Sequence, residues 1–327
     1  GKENRLKSRG VARSLFCMVL LLLFCGRAWA VIDVTVTSPW LTLMTRFIGG
    51  IQVRVHPLSG WDAGGGVIRY GKASRRYPAI ALDETEARAY GISGRSVKTL
   101  FEAVPGGLPV QASSFLDPSS LAFIGQRLLG ALSSIDPGNY AYYQRRLAEF
   151  QSRTDTTVSV GRKLLEGLVL LDLTGASGKW VRAAAEAPIR PPDRVMALWK
   201  NGKSLETLSV ALQDASKNGW VVVVDPWTPQ VVRERTRGIP RVASIPAPVL
   251  EKEMQTILND LYLSIWNASG KRITPPMVAL TLVAAAVAVL HPVAWTVEEV
   301  RIAVAGPAAA GILVGLAAIP LGLGSAA

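Results

Sequence analysis

The sequence predicts an α/β protein: two lobes of parallel sheet bridged by one long helix, preceded by a signal segment and followed by a C-terminal transmembrane hairpin. Three observations predict this. Alternating β-branched runs repeatedly give way to apolar residues at helical spacing. An extended helical stretch over 119–166 separates one such series from a second. The two ends of the chain are far more apolar than its middle. The 327 residues are 49% hydrophobic and 18% charged, with mean hydropathy +0.27, a composition that excludes disorder as the dominant state.

Strand signals open the central region. Val31–Thr37 alternates β-branched residues, Trp40–Ile48 has helical spacing and Ile51–Pro57 alternates again, a βαβ beginning. Ser119–Leu132 and Tyr140–Ser152 follow as helices, each announced by an Asp-Pro start signal, Asp117-Pro118 and Asp136-Pro137. The bridging helix is expected around Tyr140–Leu165, and an apolar strand follows at Leu168–Leu173. Leu205–Ala215 is a helix feeding the strongest strand of the chain, Trp220–Val224. Val242–Ile245 is a short strand and Val249–Trp266 a final amphipathic helix. The expected division is 31–140 for the N-terminal lobe, 141–166 for the bridging helix and 167–270 for the C-terminal lobe. Strand–helix repeats cover a parallel sheet on both faces, and their ligands lie at the carboxyl ends of the strands. Here those are the loops after Pro57, near Ser113, and after Leu173, Val224 and Ile245.

Residues 1–30 have a basic front, an apolar stretch from Leu15 to Phe24 and small residues at Ala28 and Ala30, the pattern of a signal peptide with cleavage expected after Ala30. Lipid attachment at Cys25 is the weaker alternative, because bulky Phe24 stands where a small residue is wanted. Both cysteines, Cys17 and Cys25, lie in this segment. The exported protein then has no disulfide, thiolate metal site or cysteine nucleophile. At the other end, residues 273–297 and 302–327 contain no charge, with Glu298-Glu299-Val300-Arg301 between them. Each run exceeds the roughly 20 residues that cross a bilayer, which predicts a hairpin over 271–327 that tethers the exported region to the periplasmic face of the inner membrane. Two buried helices of a soluble fold are the alternative.

The net charge is +12, but residues 1–30 contribute +5 of it and 271–327 another +1, leaving +6 for the centre. No basic run with interleaved aromatics remains there, so nucleic acid is excluded as a partner. The chain has no Gly-x-Ser-x-Gly, phosphate-loop or His-Glu-x-x-His motif, and no side chain stands out as a general base. No enzyme is read and no catalytic residue is assigned. The Gly64-Gly65-Gly66 run follows a strand without opening a helix and reads as a flexible loop.

The run Ser113-Ser114-Phe115-Leu116-Asp117-Pro118, then Ile135-Asp136-Pro137-Gly138-Asn139-Tyr140-Ala141-Tyr142-Tyr143 and Leu147-Ala148-Glu149-Phe150, resembles the solute-binding proteins of zinc and manganese ABC transporters. That family has His-x-Trp-Leu-Asp-Pro, a helix, then Asp-Pro-x-Asn-x-x-x-Tyr and a long helix between two lobes. Val36–Pro39, Gly60-Trp61-Asp62 and Val224-Asp225-Pro226-Trp227 also resemble its stations, so the likeness runs from Val31 to Asn267. It implies a periplasmic binding protein that delivers a divalent metal, as transported solute, to an ABC permease and its ATPase. Residues Gly311–Gly322 further resemble the opening helix of the partner permeases.

The resemblance also implies four ligand stations, with imidazole and carboxylate donors suited to such ions. This chain departs from the pattern at all four. Ala63-Gly64-Gly65-Gly66 follows Asp62 where the family has a His, Ser113 holds the second His position, Thr174 the third, and the fourth, an Asp, falls near Ile245. No coordinated ion is expected at these stations. His56, Asp62 and Asp225 are the candidates left to rebuild a metal site, with Ser113 and Thr174 as further cleft positions. Against that, His56 reads first as a hydrogen-bonded structural residue, Asp117 as a helix cap and Asp225-Pro226 as a helix start. Two functions therefore stand: the solute-binding component of a metal-type importer with a degenerate or altered site, or an exported, membrane-tethered scaffold that has lost its solute and contacts a partner protein.

Overall fold

The computed structural model describes residues 31–94, 96–102 and 112–271. The signal segment and the hairpin expected over 273–327 lie outside the described residues; among those described, no helix is long and apolar enough to cross a membrane. In chain order the first half contains β1 (Ile32–Val36), α1 (Pro39–Gly49), β2 (Val53–Pro57), a hairpin of β3 (Ser59–Trp61) and β4 (Val67–Arg69), β5 (Ala79–Ala81), α2 (Glu84–Ala89), β6 (Val97–Thr99), α3 (Ala112–Phe115) and α4 (Pro118–Ile135). The long helix α5 (Tyr140–Leu165) follows. The second half contains β7 (Val169–Asp172), α6 (Gly178–Ala184), β8 (Ala187–Ile189), α7 (Asp193–Lys200), α8 (Leu205–Asn218), β9 (Val221–Val224), α9 (Gln230–Arg235), β10 (Val242–Ser244) and α10 (Met254–Ala268).

Two separate four-stranded parallel sheets result, ordered β2-β1-β5-β6 and β10-β9-β7-β8. Counted from its own first strand, each sheet has the order 2-1-3-4. In the first, Val34 and Val36 are fully buried, on the opposite face of the strand from Thr35. The helix α1 packs against β1 and β2 with Trp40, Leu41, Met44 and Ile48 buried. In the second, all four valines of β9 are buried, as a central strand covered on both faces requires. Leu171, Leu173, Trp199, Leu208, Leu212 and Val232 pack with them. Pro188 is tolerated in β8 because that strand lies at the sheet edge.

Three expectations change. The strand expected from Ile51 begins at Val53, because Gly50 leaves α1 at φ 50° and residues 50–52 form a 3-10 turn with Ile51 exposed. The final helix begins at Met254 and not at Val249: Pro246 and Pro248 hold the chain extended before it, and the Leu250 carbonyl is taken by Arg46 at 2.7 Å. The triglycine is the turn of the β3–β4 hairpin. Asp62 Oδ1 accepts the Gly64 and Gly66 N–H groups, both at 2.8 Å, and two backbone bonds close the turn.

The helix α5 is continuous over 26 residues, about 39 Å at 1.5 Å per residue. It packs against α1 and α4 of the first half and against α6 and α10 of the second. Phe47 of α1 meets Phe150 edge-on at 5.3 Å, and Arg146 and Arg153 lie over the same Phe47 ring. Towards its C-terminal end, α5 approaches α10 so closely that a Cβ on Gly161 would stand 2.5 Å from the Tyr262 ring. That ring cannot retreat: it stacks on Trp180 and its hydroxyl donates to the Trp180 carbonyl at 2.8 Å. A Gly161→Ala variant should therefore unfold at lower denaturant. Overpacking of about 1–3 kcal/mol outweighs a helix-propensity gain of about 1 kcal/mol. Gly130→Ala, in α4 with open space at its Cβ, should gain up to about 1 kcal/mol in the same chemical denaturation.

Candidate functional site

The carboxyl ends of β7 and β9 lie side by side, Asp172 in register with Val223. Asp225 follows β9 directly and is 2% exposed. Its Oδ1 accepts the N–H of Gly175 at 2.8 Å and of Trp227 at 3.1 Å; its Oδ2 accepts those of Ala176 at 2.9 Å and Ser177 at 3.0 Å. The Thr228 hydroxyl stands 3.0 Å from Oδ1 and 2.9 Å from the Leu173 carbonyl, and accepts the Asp225 N–H. A carboxylate has about four acceptor sites, and four backbone donors engage this one. Gly175 is required there, since a Cβ would come within 2.2 Å of the Trp227 carbonyl. The helix that follows is capped at Pro229, so Asp225 organises the loop after β7 instead of starting α9.

Thr174 sits in that loop, fully buried. Its hydroxyl donates to Asp172 Oδ1 at 2.6 Å, and its N–H bonds the same oxygen at 3.0 Å. The guanidinium of Arg190, just beyond β8, donates to the Thr174 carbonyl at 2.9 Å and lies 3.2 Å from Asp172 Oδ2. A Cβ on Gly178 would stand 2.9 Å from that guanidinium. The third station thus holds a fixed side-chain cation against a buried carboxylate.

The first half meets this edge through its hairpin. Trp227 Nε1 donates to the Gly65 carbonyl at 3.0 Å, and a Cβ on Gly65, whose φ is +77°, would come within 2.8 Å of Pro226. Asp117 caps α4 through the Ser119 N–H and receives Lys179 Nζ of α6 at 2.8 Å. Burial alone would raise the Asp117 carboxyl, but the Lys179 and Ser119 hydrogen bonds hold it down at about 2. At the end of β1, the Thr37 hydroxyl donates to Glu86 at 2.7 Å, and burial pushes that carboxyl up despite its bonds from Leu82 and Thr37. Trp40 of α1 packs edge-on against Trp61 at 4.7 Å and stacks with Phe115 at 6.4 Å.

The sequence-derived candidates are dispersed over these features. His56 is the penultimate residue of β2, its Nε2 2.7 Å from Asp33 Oδ1 and its ring stacked on Tyr77. His56, with Arg54 assisting against burial, holds the Asp33 carboxyl below the usual carboxylate range. Asp62 clamps the hairpin turn, Asp225 the loop after β7, and Ser113 lies in the short helix α3. Ile245, at the fourth station, is buried with its N–H on the Val224 carbonyl. Among the described residues no three His, Cys, Asp or Glu side chains group as metal ligands. Sequence reasoning missed Arg190, Lys179 and the Trp227–Gly65 contact, whose partners lie 16 to 162 residues away.

The sequence matches no family model, and no curated protein sequence matches it. Solved structures do. The chain is similar to ZnuA over 73% of its own length and 100% of that chain, at 15% identity and a TM-score of 0.52. It is also similar, at TM-scores of 0.48, to the solute-binding protein FpvC of Pseudomonas aeruginosa in complex with Mn2+ (15% identity, 73% and 99% covered) and to the periplasmic zinc binding protein TroA of Treponema pallidum (13%, 73% and 99%). The ZnuA likeness establishes the fold: a mixed α/β architecture shared with that protein.

Asp225→Asn places an amide NH2 against backbone N–H donors that have no other acceptor in the loop. Chemical denaturation should show a loss of about 3 kcal/mol, the range for removing one partner of a buried charged network.

Proposed function

We propose that the protein is the exported solute-binding component of an importer of the metal-transporting ABC class, with a cleft altered so that a bare divalent cation is no longer favoured. The observation that carries this is Arg190. Its guanidinium lies against Thr174, where the family resemblance calls for a neutral imidazole. It is paired there with Asp172 at 3.2 Å, so the station offers an incoming cation neither a free lone pair nor an unanswered negative charge. The remaining three stations offer a glycine turn, a serine at 113 and the apolar Ile245, which cannot replace the water around a divalent ion. The three carboxylate and imidazole candidates already serve Gly64 and Gly66, the loop after β7, and Asp33. Calorimetric titration with Zn2+, Mn2+ and Fe2+ should give no sub-micromolar saturable binding; such binding with any of the three would overturn the altered-site reading.

The Trp227–Gly65 hydrogen bond favours a second reading. Where the protein's own indole joins the two sides of the cleft, the chain serves as a scaffold that docks a partner protein without a solute. Under that reading the titrations stay silent for every small solute tried, while a co-expressed permease still co-purifies.

Both readings place residues 31–270 outside the inner membrane, with the charge-free runs 273–297 and 302–327 as the tether and a separate permease and ATPase as partners. The full chain should remain in the membrane fraction after alkaline wash, and a chain ending at Gly270 should be released. Equal release of both would remove the tether.

A further inference from the structure

The first sheet is covered unequally. The helix α1 packs on it from the side of Val34 and Val36, but the face that bears Thr35 and His56 is roofed by the irregular segment between β4 and β5, residues 70–78. Under this roof is a cavity of about 190 Å³ lined by Thr35, His56, Tyr70, Lys72, Ser74 and Tyr77, among others, enough for about six water-sized groups at ~30 Å³ each.

The chemistry of the lining has one sign. Thr35 is 1% exposed and its hydroxyl has no hydrogen-bond partner, although buried hydroxyls are nearly always paired. Ser74 Oγ accepts the Arg76 N–H and keeps its own proton to donate. Lys72 has no ion-pair partner among the described residues. The roof also carries Arg75 and Arg76, and no acid occurs between Val67 and Leu82. Of the acids near this face, Asp33 is committed to His56 at 2.7 Å and Arg54 at 3.5 Å, and Glu86 accepts from the Thr37 hydroxyl and the Leu82 N–H. Beside these donors are Pro57, Leu58 and Tyr77.

We propose that this cavity binds a small organic oxyanion, a carboxylate or a phosphate monoester, with its charged end on Lys72, Ser74 and Thr35 and its carbon body against Tyr77 and Leu58. A divalent cation is disfavoured by Lys72, Arg75 and Arg76. The site is distinct from the cleft at Asp225, so it stands whichever reading of the cleft holds.

The test is calorimetric titration of the full chain at low ionic strength with three probes: benzoate, phenyl phosphate and inorganic phosphate. Saturable binding of benzoate assigns a carboxylate; binding of the two phosphates assigns a phosphoryl group, and phenyl phosphate above inorganic phosphate confirms the apolar body. Affinity should fall about tenfold in Lys72→Gln and again in Thr35→Val, the loss expected for one charge-assisted or buried hydrogen bond. Thr35→Val should melt no lower than the parent, since it removes an unpartnered buried hydroxyl. If it fails to fold, Lys72→Gln, on an exposed segment, decides alone. Absence of saturable binding with all three probes, or binding unaffected by Lys72→Gln, overturns the proposal.

Discussion

The second half of the protein is arranged around the Asp225 carboxylate. An ion that is 2% exposed must recover in hydrogen bonds what it loses in hydration, and the donors within reach are the backbone N–H groups of the loop after β7. Those four bonds bend residues 173–177 into a tight cradle, demand glycine at 175, and bring Pro226 and Trp227 to the sheet edge where they meet Gly65. The carboxyl group is thereby spent on architecture. A residue that the sequence offers as a donor to metal is, in the folded chain, an acceptor saturated by its own backbone.

The same substitution of inner partners for outer ones recurs across the cleft. Asp172 is balanced by Arg190, Asp117 by Lys179 and Asp62 by two glycine amides. Each carboxylate near the strand ends has its charge or its lone pairs answered within the protein. The fold held in common with ZnuA thus accommodates strand ends whose carboxylates are answered from within, since a fold does not dictate the chemistry of its sites.

The parts legible in the sequence were those with local causes. Asp117-Pro118 announces α4 by capping it, and the Ser119 N–H does bond Asp117. The valine run of β9 could only be a buried strand. The β-branched alternation of 31–37 gave β1, and the motif stretch 113–150 pointed to the fold. The short strands β3, β4, β5, β6 and β8 escaped notice because three residues hold no period, and β8 carries a proline besides. The site was harder. Arg190 precedes two prolines in an ordinary-looking segment, and nothing within it signals that its guanidinium reaches back to Thr174. The triglycine suggested freedom because the restraint comes from Asp62, whose own spacing to Gly64 and Gly66 is an Asx-type turn legible only with the hairpin in view.

The repeated 2-1-3-4 strand order has a kinetic consequence. Within each half, strands pair with neighbours close in sequence, so loop closure is inexpensive and each sheet can nucleate on its own. The contacts that join the halves are of another kind: Gly65 to Trp227 spans 162 residues and Arg46 to Leu250 spans 204. Their loop-closure cost favours forming them after both sheets and α5 are in place. A chain synthesised from its N-terminus presents β1 to β6 first, so the hairpin that will receive Trp227 waits for an indole still to be delivered.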